Sequence, residues 1–281
     1  MDSLVTTAWL EAELGAPDLR VVDATLFLPG MGRDARAEYE AAHIPGAVYF
    51  DIDEISDSGT AIPHMLPPAH KFASRMQTLG IGDGNRIVVY DDSPLHSSAR
   101  AWFMLKAFGA HYVAILDGGL QKWAREGRPL ESAAHPHRHG HFTALLDEGA
   151  VVDKAFVRGV VGTGSHVIAD ARATPRFTGE AAEPRLGLAS GHIPGARNLP
   201  QNEFFRADNS FKQGGELRAA FDSAGVDLAK PMVTTCGSGV TACVILFGAH
   251  LMGKEDVALY DGSWSEWGAD PDTPKALGAV A

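Results

Sequence analysis

The chemistry in this chain is concentrated where a cysteine follows a short β-branched run. Residues 231–243 read Pro-Met-Val-Thr-Thr-Cys-Gly-Ser-Gly-Val-Thr-Ala-Cys. Met232 to Thr235 has the apolar, β-branched character of a buried parallel strand, and Cys236 stands at its end. Gly237 and Gly239 permit a tight loop that bulkier residues would resist. From about Val240 the pattern turns helical, with Val240, Val244, Phe247 and Leu251 recurring at helical spacing. The thiol is therefore expected on a strand–loop–helix turn, facing the free N–H groups and positive dipole end of a helix. Such a setting favours the thiolate, the nucleophilic form of cysteine. The alternative is an inert core cysteine. Two glycines close after the thiol favour the loop, because a core cysteine needs no permissive backbone there.

A further group of residues is suited to holding an anion or moving a proton. Arg176 and Arg185 stand nine positions apart in Arg-Phe-Thr-Gly-Glu-Ala-Ala-Glu-Pro-Arg. Two guanidinium forks can fix a carboxylate and a neighbouring keto oxygen. Taken alone, both arginines read better as surface groups paired with Glu180 or Glu183, the ordinary fate of charges in a loop. Arg172 is expected to tie down the turn after Asp170. Asp53 and His64 lie in the first half, where each has an ordinary reading too, as a helix cap and a surface histidine.

Length and charge set the class. At 281 residues the chain is long enough for two domains, and its formal net charge of −11 argues against nucleic acid and anionic membrane as partners. The N-terminal stretch has neither the basic region nor the apolar region of a secretory signal, and no apolar run reaches membrane-spanning length. The two cysteines, Cys236 and Cys243, are expected about two helical turns apart, which speaks against a disulfide framework and for the cytosol. Cys243 reads as core. No dinucleotide fingerprint, phosphate loop or Cys-x-x-Cys pair occurs, so no cofactor is expected.

The elements that must position these residues alternate between strand and helix. Helices are expected over Leu4–Leu14 (capped by Ser3 or a threonine), Asp34–Ala42, Pro68–Leu79, Ser98–Phe108 and Leu120–Arg125. Strands are expected over Leu19–Ala24, Arg86–Tyr90 and Val113–Leu116. The pattern is that of an α/β protein with parallel sheets. The second half replays the first. His192-Ile-Pro-Gly-Ala repeats His43-Ile-Pro-Gly-Ala at an offset of 149, and Asp261-Gly-Ser-Trp-Ser-Glu-Trp repeats Asp117-Gly-Gly-Leu-Gln-Lys-Trp at 144. One long-period repeat means two duplicated domains, expected over 1–130 and 151–281 with a linker over 131–150. The linker carries His135, His137, His139 and His141. A solvated linker is expected there rather than a metal site, because no cysteine or carboxylate is interleaved. Alignment of the halves sets Asp91 against Cys236, so the first domain is expected to be catalytically inactive. His43 and His192 recur in both halves and read as structural.

Both His-Ile-Pro-Gly-Ala turns, the Asp-Gly-Ser-Trp-Ser-Glu-Trp segment and Cys236-Gly-Ser-Gly-Val-Thr together resemble the tandem rhodanese-domain sulfurtransferases, nearly end to end. The cysteine loop is similar to that of the 3-mercaptopyruvate enzymes. Thiosulfate enzymes resembling mitochondrial rhodanese carry Arg and Lys where this chain has Gly237 and Ser238. The resemblance implies two rhodanese folds, each a five-stranded parallel sheet flanked by helices. It implies that Cys236 takes sulfur from 3-mercaptopyruvate as a persulfide, releasing pyruvate, and passes it to a thiol or cyanide. Gly237, Gly239, Val240 and Thr241 would cradle the sulfur through backbone N–H groups, and Arg176 and Arg185 would bind the donor. Ser238, His64 and Asp53 would form a relay of the Ser–His–Asp kind, with the first domain supplying part of the cleft. A reduced dithiol protein such as thioredoxin is an implied acceptor. Three other readings are weighed. Thiosulfate is the alternative donor. A Cys-dependent phosphatase needs an arginine at the loop's end, where Ala242 stands. A persulfide carrier or binding module would need Cys236 but not Arg176, Arg185 or His64.

Overall fold

The computed structural model describes residues 1–132 and 138–279. The chain divides into two compact units. In the first, elements run β1 (Leu4–Val5), α1 (Thr7–Glu13), β2 (Leu19–Asp23), α2 (Ala35–Ala41), β3 (Ala47–Tyr49), α3 (Ile52–Ile55), α4 (Ala69–Thr78), β4 (Arg86–Tyr90), α5 (Ser98–Ala107), β5 (Tyr112–Leu116) and α6 (Gly119–Arg125). In the second they run β6 (Val151–Val152), α7 (Lys154–Val160), β7 (Val167–Asp170), α8 (Thr174–Thr178), β8 (Arg197–Asn198), α9 (Gly214–Ser223), β9 (Met232–Thr235), α10 (Ala242–Leu251), β10 (Val257–Tyr260) and α11 (Ser263–Trp267).

Each unit holds one parallel five-stranded sheet, ordered β1-β5-β4-β2-β3 and β6-β10-β9-β7-β8. The α/β fold expected from the alternating pattern is present in both copies. The central strands β4 and β9 are apolar or β-branched and buried, as strands covered on both faces must be. Strand order reverses between β2 and β4, and again between β7 and β9. In open parallel sheets the crevice beyond the strand ends at such a reversal is where ligands bind. Behind each reversal lies a helix buried nearly all round. In α5 every residue except Lys106 is buried, and in α10 burial runs unbroken from Ala242 to Ala249.

Several boundaries differ from those expected. Leu4 and Val5 form β1, pairing with Ile115 and Leu116 at the sheet edge, instead of opening a helix. Of the two caps expected for α1, Ser3 or a threonine, the threonine Thr6 takes the position: its backbone is extended and its hydroxyl accepts from Trp9 N at 3.1 Å. Helix α10 starts at Ala242 rather than Val240, because Gly239 takes a φ of 76° and keeps the chain in a loop until Thr241. The described part of the expected linker is not a solvated tether. Phe142 is buried against Phe72, the His141 carbonyl accepts from Asp83 N at 2.9 Å, and residues through Asp147 belong to the first unit. Of the histidine tract, His135 and His137 fall outside the described residues. Two segments also change allegiance: 59–65 belongs to the second unit and Phe205–Phe211 to the first. Among the described residues no helix is long and apolar enough to cross a membrane.

Asp23, at the end of β2, is almost wholly buried. Its Oδ1 accepts from Thr25 N (2.9 Å) and Thr25 Oγ1 (2.6 Å). Burial still dominates and pushes the carboxyl up to about 6. A carboxyl raised in the folded state stabilises fully below its unfolded value, near 4, and that contribution disappears as pH rises through about 6. Asp23→Asn keeps an oxygen for Thr25 and removes the titration. Urea unfolding should show the variant gaining about 2 kcal/mol on the parent between pH 4 and pH 7. A constant offset across that range would contradict this.

Candidate active site

Strand β9 delivers Cys236 to the C-terminal edge of the second sheet, at the reversal between β7 and β9. The loop that follows is tied to the turn that opens α11. Ser263 Oγ accepts from Cys236 N at 3.2 Å and Gly239 N at 3.1 Å, and donates to Tyr260 O at 2.8 Å. Cys236 O accepts from Trp264 N at 3.0 Å. Gly237 O accepts from Ser265 N at 2.9 Å and Ser265 Oγ at 2.7 Å. Among the described residues none accepts from the N–H groups of Gly237, Ser238, Val240 or Thr241. Donors with no acceptor among the described residues, gathered next to a sulfur, make an anion-binding concavity. Gly239 is the loop glycine whose positive φ demands its residue type. Gly237 instead provides space, since a Cβ there would meet Arg176 Nη2 at 3.0 Å.

Ser238 and His64 come together as expected. Ser238 Oγ lies 2.8 Å from His64 Nδ1, and both residues are buried. His64 holds a φ of 62°, a conformation that costs free energy in a non-glycine residue and persists only when its surroundings impose it. Asp53 lies exposed in α3 of the first unit.

Arg176, in the short helix α8, has the glutamate partner that its plainer reading gave it and also lies beside the cysteine loop. It pairs with Glu183, through Nη2–Oε2 at 2.6 Å and Nε–Oε1 at 3.3 Å, and it also reaches Gly237 of the cysteine loop. Arg172 does what was expected. Its N and Nε bond Asp170, its Nη2 bonds Asp170 at 2.6 Å, and its Nη1 reaches Glu183 at 2.9 Å. Its guanidinium sits 4.3 Å from the Trp264 ring centroid. Burial opposes the Arg172 charge, yet Asp170 and Glu183 raise its pKa overall. Arg185 is half-buried in the segment that follows Glu183.

Cys243 is a free thiol in the first turn of α10, not two helical turns beyond Cys236, because the loop between them is not helical. It is wholly buried and its Sγ donates to Gly239 O at 3.2 Å. Trp264 and Trp267 belong to the buried core of the second unit. His43 and His192 are structural: their Nδ1 atoms lie 2.7 Å from Tyr39 O and 2.9 Å from Phe177 O, and their rings stack on the same aromatic residues. Burial lowers the His192 pKa, which keeps its ring neutral.

The first unit shows what the same loop looks like without a thiol. Asp91 takes the cysteine's position, and its carboxylate accepts from Ser93 N at 2.8 Å and Ser98 N at 2.9 Å. Leu120 N bonds Asp91 O just as Trp264 N bonds Cys236 O. Asn209, which lines a small cavity with Asp91 and His96, has a φ of 68° and answers to His64 in the other copy. Both pairs, Asp91 with Cys236 and His64 with Asn209, are 145 positions apart.

Sequence reasoning missed Ser263 and gave Glu183 only as a surface partner, not as a buried one. A signal for Ser263 existed: it replaces Gly119 in the repeated turn, where Gly119 has a φ of 59° and Ser263 one of 48°. A serine retained at a glycine's dihedral has a reason in its hydroxyl. Ser263→Ala keeps the unfavourable φ and strands two buried N–H groups, a loss of about 2–4 kcal/mol in urea unfolding. Ser263→Gly should recover only about 1 kcal/mol of it. Full recovery in the glycine variant would mean that the hydroxyl is dispensable.

The rhodanese-like domain family matches residues 6–126 and 155–270. The human 3-mercaptopyruvate sulfurtransferase is 44% identical over 271 residues, covering 94% of this chain and 91% of that protein. A bovine thiosulfate sulfurtransferase is 41% identical over 280 residues, covering 96% and 94%. The crystal structure of SseA from Escherichia coli superposes with a TM-score of 0.86 at 40% identity, over 95% of this chain and all of that one. The chain belongs to the rhodanese family, with two rhodanese-like domains in tandem.

Proposed function

We propose that this protein is a 3-mercaptopyruvate sulfurtransferase whose second domain carries the chemistry. The observation that carries the reading is the Arg176 guanidinium beside Gly237, one residue from the thiol, at a sheet reversal. A charge-assisted fork there suits a donor that carries a carboxylate. Loop positions 237 and 238 bear no cation, which suits doubly charged thiosulfate less well. The identity to the human 3-mercaptopyruvate enzyme supports the same assignment.

In this reading Cys236 attacks the sulfur of 3-mercaptopyruvate as a thiolate. A sulfur–sulfur bond forms and the carbon–sulfur bond breaks, its electron pair leaving on pyruvate as the enolate. A proton delivered to carbon completes pyruvate. The N–H groups of Gly237, Ser238, Val240 and Thr241 stabilise the sulfur anion, with Gly239 making the turn. Arg176 and Arg185 hold the donor's carboxylate and keto oxygen. Ser238 and His64 handle the proton, and Asp53 keeps the orienting part that the family resemblance gives it. A thiol acceptor or cyanide then attacks the outer sulfur of the persulfide, and the sulfur–sulfur bond breaks to return the Cys236 thiolate. A reduced dithiol protein of the thioredoxin kind is the macromolecular acceptor in this reading. Two free cysteines accord with a reducing compartment such as the cytosol.

Steady-state kinetics test the donor. kcat/KM for 3-mercaptopyruvate should exceed that for thiosulfate, and equal or better use of thiosulfate would favour the bovine relative's named activity instead. Arg176→Ala and Arg185→Ala should each raise KM for 3-mercaptopyruvate about tenfold or more, the loss of one charge-assisted contact. Unchanged values would favour a persulfide carrier.

The proton relay has its own test. His64→Ala should lower kcat about 100-fold or more, and Asp53→Asn should lower it less, because the imidazole stays in place. An Asp53 variant with normal kcat would remove that residue from the relay.

A further inference from the structure

The Glu183 carboxylate is a tightly held charged group near the candidate site that the mechanism leaves unused. Its side chain is 2% exposed and it bridges two arginines. Oε1 takes Arg172 Nη1 at 2.9 Å and Arg176 Nε at 3.3 Å, while Oε2 takes Arg176 Nη2 at 2.6 Å. The two arginines do not need it equally. Arg172 is held independently by Asp170, by Gly191 O at 2.9 Å and by stacking on Trp264. Arg176 is about a quarter exposed, and among the described residues Glu183 is its ion-pair partner. The fork engages Nε and Nη2, and among the described residues nothing accepts from Nη1. One edge of the guanidinium is thus clamped and the other is left for a ligand, while Nη2 sits against Gly237.

We propose that Glu183 is a positioning residue that fixes Arg176 beside the cysteine loop, so that its remaining edge meets the carboxylate of the sulfur donor. This rests on the donor reading given above. A flexible arginine at the surface would have to be ordered anew by each donor molecule, at an entropic cost. A buried carboxylate, anchored by an arginine that is itself buried, removes that cost beforehand. The chain Asp170–Arg172–Glu183–Arg176 carries two negative and two positive charges, so the part left to Glu183 is to set where Arg176 points.

The test is a double-mutant cycle between positions 183 and 176, read as KM and kcat for 3-mercaptopyruvate. Glu183→Gln retains an oxygen for Arg172 and loses the charge that clamps Arg176. It should raise KM about tenfold with kcat changed less than about threefold, and add less than about twofold to Arg176→Ala. Glu183→Asp keeps the charge on a shorter arm and should raise KM about threefold, again without adding to Arg176→Ala. Should the glutamine variant not fold, the aspartate cycle decides. A folded variant with parental KM, or one that multiplies the Arg176→Ala effect in full, would overturn the positioning role. An Arg176→Ala enzyme with parental KM would instead sink the donor reading itself.

Discussion

A loop that is to receive an anion must hold several backbone N–H groups toward one point, and a backbone left to itself does not do so. Here the Ser263 hydroxyl imposes the shape. By accepting from the residues at 236 and 239 it pins two points of the loop to one oxygen, and the N–H groups of Gly237 and Ser238 between them, with those of Val240 and Thr241 beyond, are left for a ligand. The cost is a non-glycine residue at a φ of 48°. It persists because three hydrogen bonds and a buried helix on the far side of the loop over-determine the conformation. Rigidity of this sort is what electrostatic stabilisation requires, because dipoles already oriented need no reorganisation when charge develops.

The charged groups around the loop follow a comparable logic. Removing one partner from a buried ion pair usually costs about 3–5 kcal/mol, so such groups survive where every charge is matched. Asp170, Arg172 and Glu183 meet that condition, with side chains 1–2% exposed. The network ends at Arg176, its one partly exposed member. Trp264, whose ring lies against the Arg172 guanidinium, also supplies the backbone N–H that bonds Cys236 O, so the ion-pair network and the cysteine loop share a single support.

The sequence made the large features readable because they are local or repeated. Alternating periods announced parallel sheets, the His-Ile-Pro-Gly-Ala turns announced duplication, and Cys236 with its two glycines announced the loop. What it hid depends on contacts between distant residues. Ser263 acts 27 positions from Cys236, and nothing in its neighbours says that its hydroxyl accepts from another turn. Glu183 looked like any loop carboxylate, since burial to 2% is a tertiary fact. Strand β1 was hidden by its length: two residues hold no periodicity, and they are a strand only because β5 offers an edge. The allegiance of segments 59–65 and Phe205–Phe211 was hidden for the same reason, as loops without a pattern of their own.

The duplicated copy shows why one loop is reserved for chemistry. Both copies keep the sheet reversal, the buried helix behind it and the turn that bonds the carbonyl of the residue at the strand's end. They differ in what fills the nest. In the first unit the Asp91 carboxylate is a permanent internal anion, taking Ser93 N and Ser98 N for itself. The N–H groups that Ser263 takes in the second unit, at Cys236 and Gly239, answer to Asp91 and Pro94 in the first; Pro94 has no N–H to satisfy, and a glycine stands at that turn. In the second unit the side chain is a thiol, and the loop is held instead through Cys236 N and Gly239 N, both bonded to the Ser263 hydroxyl. A nest without an internal anion is here held in shape from outside, by that one oxygen. A loop kept open for an incoming sulfur therefore needs Ser263, whereas a loop closed by its own carboxylate does not.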